Sequence, residues 1–217
     1  MRKKGSLFKE LPILVVVALI VSLLIKTFLV QFFYIPSGSM ENTLQIKDRV
    51  AVNKVPFISK SITRGDVVVF RDPNNWLPEI VDYSTNEYVA KVKSLLVTVG
   101  VLPNPAKQYL VKRVIGVAGD HIVCCTKDGN LTVNGVEVTE PYIYAGNKPS
   151  ELNFDVTVPA GKLWVMGDHR GASADSRYHQ DDINNGFVPL SRVSGRVVAV
   201  IWPFKHITFI PKINVLK

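Results

Sequence analysis

Two features of this chain are best suited to chemistry: a serine among small residues, in Ser37-Gly38-Ser39-Met40, and a lysine inside an apolar run, in Leu110-Val111-Lys112-Arg113-Val114-Ile115. A serine hydroxyl becomes a nucleophile only when a neighbouring group accepts its proton, and an ammonium cannot accept one. An unperturbed lysine, with a pKa near 10.4, is charged at pH 7 in all but about one molecule in two thousand. Lys112 would therefore serve as a base only where burial disfavours its charge. Lowering its pKa by two to three units represents roughly 3 to 4 kcal/mol of differential stabilisation. The strand pattern supplies the setting, since Leu110, Lys112 and Val114 would share one face while Val111, Arg113 and Ile115 take the other. Taken singly, Ser37-Gly38-Ser39 describes an ordinary turn and Lys112 a solvated surface lysine. Together they suggest a hydrolase with a serine nucleophile and a lysine base. A second arrangement stays open, in which Ser39 works with His169 and Asp168 or Asp175 as hydroxyl, imidazole and carboxylate.

The serine follows a strongly apolar stretch. From Leu11 to Val30 the side chains are interrupted mainly by Pro12, Ser22 and Lys26, and twenty residues of helix reach roughly 30 Å, the thickness of a bilayer's hydrocarbon core. Lys26 lies near the distal end, where its stem reaches the headgroups. Phe32, Phe33 and Tyr34 supply interfacial aromatics, and Arg2, Lys3, Lys4 and Lys9 precede the run, which predicts a cytoplasmic start and an external body. A cleavable signal peptide shares this outline, but no small-x-small pair closely follows the run before the bulky Phe28 to Tyr34 stretch. With an uncleaved anchor, Ser39 stands nine residues past Val30, no more than roughly 32 Å from the helix end.

The 217 residues carry a formal net charge of +8, yet no basic run outside the N-terminus is comparably dense. We read that excess as membrane orientation, with lipid rather than nucleic acid as the partner. Downstream, short runs rich in valine and isoleucine predict strands at 49–52, 66–70, 110–117, 121–126, 131–138, 163–166 and 193–201. Turn signals at Lys127 to Asn130 and at Asn134-Gly135 predict hairpins over 121–139, and Asn86 to Val99 reads as a surface helix. The fold class is mainly β: an antiparallel sheet domain over residues 31–217 with a small β extension at about 120–165. It is preceded by an anchor at 11–30 and a basic cytoplasmic segment at 1–10. Cys124 and Cys125 are adjacent, closer than an ordinary disulfide prefers, and are expected to face opposite sides of a strand. They and the four histidines show no ligand spacing, so neither metal nor cofactor is expected.

Four segments in order, Ile35 to Met40, Arg64 to Asp66, Lys112 to Asp120 and Gly167 to Arg177, resemble bacterial type I signal peptidase. The resemblance starts at the N-terminal anchor and extends to about Trp202. It implies a membrane-bound serine endopeptidase that cleaves signal peptides from exported preproteins after small residues, in the Ala-x-Ala manner. Ser39 would be the nucleophile and Lys112 the general base. The Ser37 hydroxyl and the Ser39 backbone N–H would form the oxyanion hole, and Ser173 would orient the lysine amine. Gly38 would provide an unusual backbone angle, Asp168 a partner for Arg113, and Asp175 with Arg177 a structural ion pair. Ile35, Pro36, Met40, Leu44, Leu110 and Val111 match or adjoin pocket-lining positions. Asn42 and His169 depart from the family's common residues, and Tyr178 to Asn185 is an insertion expected to form a loop. A tethered β protein that binds peptide or cell-wall components without hydrolysis is the alternative of a different class.

Overall fold

The computed structural model describes residues 7–54, 62–78 and 108–213, with the side chains of its one α-helix described from Glu10 to Ile20. The predicted helix at Asn86 to Val99 lies outside the described residues. Helix α1 runs from Leu7 to Phe28, 22 residues with Pro12 in its early turns. It therefore begins and ends earlier than the apolar run suggested, because Val30 leaves it to enter a strand. Among the described residues no helix is long and apolar enough to cross a membrane.

Among the described residues the body is built from two antiparallel sheets. The larger comprises β1 (Val30–Tyr34), β2 (Arg49–Asn53), β3 (Val67–Arg71), β4 (Tyr109–Val117), β9 (Lys162–Met166), β10 (Val188–Pro189), β11 (Val193–Trp202) and β12 (Thr208–Phe209). Its strand order is β1-β2-β11-β3-β4-β9-β10, with β12 paired to β11. The smaller contains β5 (His121–Cys124), β6 (Leu131–Val133), β7 (Val136–Glu137) and β8 (Phe154–Thr157), in the order β7-β6-β5-β8. The valine-rich runs become strands because β-branched side chains fit a pleated, buried surface. Val67, Val68, Val69 and Phe70 are all fully or almost fully buried, as expected of a strand covered on both faces. β6 and β7 form a hairpin whose turn residues Asn134 and Gly135 have φ of 54° and 77°, the left-handed backbone that Asn-Gly readily adopts.

The small sheet does not own a separate core. Ile122, Leu131, Val133 and Phe154 pack in one cluster with Ile115, Trp164 and Met166 of β4 and β9. Trp164 is fully buried between Phe154 and Phe187, at ring separations of 5.2 and 5.3 Å. The extension is thus a second layer on the main sheet. Cys124 and Cys125 correct the expectation of opposite facing: the peptide between them is cis, their Cα atoms lie 3.0 Å apart, and their sulfurs are bonded. The inserted segment forms a loop after the Ser176–Tyr178 turn and docks on Trp76, whose Nε1–H donates to Asp182 at 2.8 Å and whose ring stacks on His179 at 4.4 Å. Replacing Trp164 by alanine should cost about 3 to 5 kcal/mol, measured by urea unfolding. A single transition for both layers is expected; independent unfolding of the small sheet would contradict the shared core.

Candidate active site

Antiparallel pairing brings the chemical residues together. β4 lies between β3 and β9, with Lys112 opposite Val68 and Arg113 opposite both Val67 and Met166. Because side chains alternate along a strand, Asp168, two residues past Met166, projects toward the side of Arg113. Arg113 donates from Nε and Nη2 to the two oxygens of Asp168 at 2.8 and 2.6 Å, and from Nη1 to the Gly65 carbonyl at 2.7 Å. Tyr142 covers the guanidinium, its ring centroid 4.0 Å away. Both ions are almost completely buried, so charge-assisted, bidentate geometry replaces the water they lost.

Lys112 Nζ lies 2.6 Å from Ser39 Oγ, and among the described residues this is its hydrogen bond. The lysine is 4% exposed. Burial pushes its pKa down from 10.5 to about 8, outweighing the opposing pull of the Asp175 and Asp168 charges, while Arg177 assists the depression. Asp175 in turn is held below the usual carboxylate range. Burial pushes it up, but Arg177, the Gly167 N–H and the Lys112 charge together outweigh that push. An amine screened from water and in contact with a serine hydroxyl can take that hydroxyl's proton whenever it is neutral.

The loop carrying Ser39 is fixed from several sides. Met40 and Leu44 are buried pegs, and the Leu44 N–H donates to the Met40 carbonyl at 2.8 Å. The His169 N–H donates to the Ser39 carbonyl at 3.2 Å, while Thr43 donates its hydroxyl to Asp168 at 2.5 Å. Asn42 has φ of 87° and donates its amide to the Tyr142 carbonyl at 3.1 Å, tying the loop to the segment beside it. Proline, with φ near −65°, could not adopt that backbone.

Several expected placements differ in detail. Gly38 shows no left-handed φ. A Cβ there would lie 2.8 Å from Glu41 Cδ, so its smallness makes room for that side chain. Ser173 donates to Asp175 Oδ2 at 2.7 Å, and no hydrogen bond joins it to Lys112. Asp175 and Arg177 pair through Oδ1 and Nε at 2.8 Å, and Ser37 is exposed. Ile35, Met40 and Leu44 share one apolar cluster, against which Val111 leans, whereas Leu110 packs with Val68 and Phe70 in another. Sheet alternation sends Leu110 to the opposite side from Val111, and Pro36 is exposed. The imidazole arrangement is not assembled. His169 Nδ1 sits 3.1 Å from Glu41, Asp168 is engaged by Arg113 and Asp175 by Arg177.

Sequence reasoning passed over Thr43, Glu41, Tyr144 and Gly167. Of these, Gly167 carried a signal, as a glycine at the edge of a polar motif. A Cβ at Gly167 would meet Ser173 Oγ at 2.3 Å and the Ser39 carbonyl at 2.4 Å. Backbone passes there between the serine loop and the Ser173 turn with no room for a methyl group.

The family described as signal peptidase, peptidase S26, matches residues 8–202. A probable signal peptidase I of Mycobacterium leprae is 39% identical, covering 93% of this chain and 78% of its own. A signal peptidase I of Bacillus licheniformis is 32% identical over 94% of each. A crystal structure of a signal peptidase I from Enterococcus faecalis aligns with 62% of this chain and 95% of its own, at 24% identity and a TM-score of 0.38.

Two outcomes test the site's physics. Gly167→Ala should displace Ser39 and lower kcat at least about a hundredfold with a smaller change in KM; near-normal turnover would contradict the contact. Holding Lys112 at about 8 rather than 10.5 corresponds to roughly 3 kcal/mol of strain against folding at neutral pH. Between those values the unfolded chain binds the extra proton, so stability gains from rising pH. Below about 8 the amine is charged in both states and the full penalty remains. Lys112→Met should therefore raise the melting temperature at pH 7 by about 5 °C, seen by calorimetry, and a lower one would argue against a strained lysine.

Proposed function

The chain belongs to the signal peptidase family, peptidase S26, and is a serine peptidase that cleaves signal peptides from preproteins; from that premise we propose that Ser39 and Lys112 form its catalytic pair. The observation carrying this reading is the 2.6 Å contact between a buried amine and the Ser39 hydroxyl. Neutral Lys112 takes the proton as Ser39 Oγ attacks the scissile carbonyl. The Ser39 N–H and the Ser37 hydroxyl stabilise the oxyanion, each donor of this kind supplying about 3 to 4 kcal/mol. Collapse of the tetrahedral intermediate breaks the peptide bond, and Lys112 returns the proton to the leaving amine. Water then attacks the acyl-enzyme ester as Lys112 takes its proton, the second tetrahedral intermediate expels Ser39 Oγ, to which Lys112 returns that proton, and the signal peptide leaves as a carboxylic acid that ionises in water.

We propose further that cleavage follows small residues in an Ala-x-Ala pattern. Ile35, Met40 and Leu44 share a buried apolar cluster around the segment that carries Ser39, with half-buried Val111 packed against it, and an apolar lining of that kind would accept methyl groups more readily than large polar side chains. Leu110 packs with Val68 and Phe70 in the other cluster and is left out of this lining. Ser173, through Asp175, positions the lysine indirectly.

The membrane anchor is part of the proposal. Every leucine, isoleucine and valine from Leu11 to Ile20 is at least half exposed, a surface that calls for lipid. On the sheet, Phe32, Ala51, Ala199 and Phe209 stand in one cross-strand row, followed by Tyr34, Arg49 and Trp202 in the next. Phe32, Tyr34, Trp202 and Phe209 are exposed, so an aromatic surface lies on the strands leading to Ser39, as suits an interface. The basic start of the chain supports a cytoplasmic N-terminus with the catalytic body outside.

For a peptide with an Ala-x-Ala site, kcat/KM should rise about tenfold per pH unit below pH 8 and level off above it, because only the neutral amine accepts a proton. Ser39→Ala and Lys112→Ala should each lower kcat by at least about a thousandfold; turnover surviving in Lys112→Ala would exclude the lysine base. In expressing cells the chain should stay with membranes after alkaline extraction. Release into the soluble fraction would remove the anchor from the proposal.

A further inference from the structure

Glu41 occupies an unusual place for a carboxylate. It is two residues past the nucleophile, and its Cδ, Oε1 and Oε2 lie 2.8, 2.9 and 3.0 Å from where a Cβ on Gly38 would stand. The negative charge thus overhangs the residue whose carbonyl leads into the Ser39 N–H. Its hold is one-sided: Oε2 meets His169 Nδ1 at 3.1 Å, while Oε1 has no hydrogen bond among the described residues. The imidazole is itself backed by Tyr144, with ring centroids 4.2 Å apart and planes 18° from parallel. Tyr144 is anchored by its N–H to the Asp168 carbonyl at 3.0 Å. A three-residue stack drawn from three separate segments therefore presents one free carboxylate oxygen beside the reacting serine.

Stability does not account for this stack. The side chains of His169 and Glu41 are 21% and 31% exposed, and polar contacts so open to water contribute little to folding. The two flanks of Ser39 also differ in chemistry. Upstream stands the apolar wall of Ile35, Met40 and Leu44, suited to the small residues of a signal peptide. His169, Glu41 and Tyr144 border the serine differently, with the His169 N–H bound to the Ser39 carbonyl, and on the proposed reading this is the side that receives the first residues of the leaving chain.

We propose that Glu41, held by His169 on Tyr144, is a subsite that favours cationic side chains in the first two residues after the scissile bond. The inference rests on the Ser39–Lys112 reading of the same site. A lysine or arginine there gains a carboxylate partner, and an aspartate or glutamate meets repulsion in a partly dehydrated position.

The test uses full-length enzyme in detergent and three peptides sharing one Ala-x-Ala half, with Lys, Gln or Glu at both of the first two positions after the bond. Wild type should cleave the Lys peptide about fivefold more efficiently in kcat/KM than the Glu peptide, most of the difference lying in KM. Glu41→Gln, which keeps an acceptor for His169, should bring that ratio within about twofold, and Glu41→Lys should invert it. Raising salt from 0.05 to 1 M should also erase the preference in wild type, since screening at 1 M acts over about 3 Å. An equal ratio in wild type and both variants, or a preference insensitive to salt, overturns the subsite while leaving the catalytic pair standing. Failure of wild type to cut any of the three overturns the reading of the whole site, and this inference with it.

Discussion

The dehydration of one amine governs the rest of this structure. Burial is the largest influence on Lys112, and it acts against the charged form. Two carboxylates nearby, Asp175 and Asp168, pull the other way, and left alone they would restore the ammonium. Each is matched by an arginine: Arg177 donates from Nε and Nη2 to Asp175 at 2.8 Å, and Arg113 binds Asp168 in the same two-pronged manner. The carboxylates are needed for the backbone they hold, since Asp175 accepts from the Gly167 N–H and Asp168 from Thr43. Arginine keeps its charge under any burial, so it can neutralise them without competing for the role of base. Buried ion pairs often add little to stability. Here they let rigid acidic anchors stand beside a lysine without recharging it.

Rigidity on the serine side follows from main-chain contact. The Ser39 carbonyl accepts from the His169 N–H, and Gly167 passes so close that any side chain would strike that same carbonyl. Asn42 and Thr43 add side-chain ties to the strap around Tyr142 and to Asp168. Hydrogen bonds from both sides of the loop fix the backbone that carries Ser39 Oγ beside the amine. Such fixing matters because misplacement by about 1 Å can cost a hundredfold in rate.

What the sequence disclosed follows the range of its signals. Alternation of valine and isoleucine acts over a few residues, and it marked β2, β3, β4, β9 and β11 to within a residue or two at most ends. β1 was missed because its Phe-Phe-Tyr segment also fits a lipid interface, and only pairing with Arg49 to Asn53 decides between the two. β8 is four residues, two of them exposed, too short to show a period. For the site, Ser39 and Lys112 were legible as residue types in ordered motifs, but their meeting is a contact across 73 positions that no local pattern encodes. The same holds for Ser173, whose hydroxyl turns to Asp175, and for Glu41, which only the fold sets against His169. Gly38 was misread for a physical reason: glycine serves both left-handed backbone and crowded space, and sequence does not separate the two.

The passage from α1 into β1 bears on where cleavage can happen. Only Leu29 separates the helix end at Phe28 from Val30, which is already paired with Asn53 of β2. The helix is therefore joined to the sheet by a single residue rather than by a flexible tether, and five residues of strand at about 3.4 Å each carry the chain roughly 17 Å toward the serine loop. On the proposed reading, a signal peptide holds its apolar core in the bilayer and offers a small-residue site just beyond it. A nucleophile on a long linker would sample many depths and seldom meet that site. On the same reading, a fixed short distance from α1, behind a strand edged with exposed Phe32 and Tyr34, would confine Ser39 to the depth where such a substrate emerges.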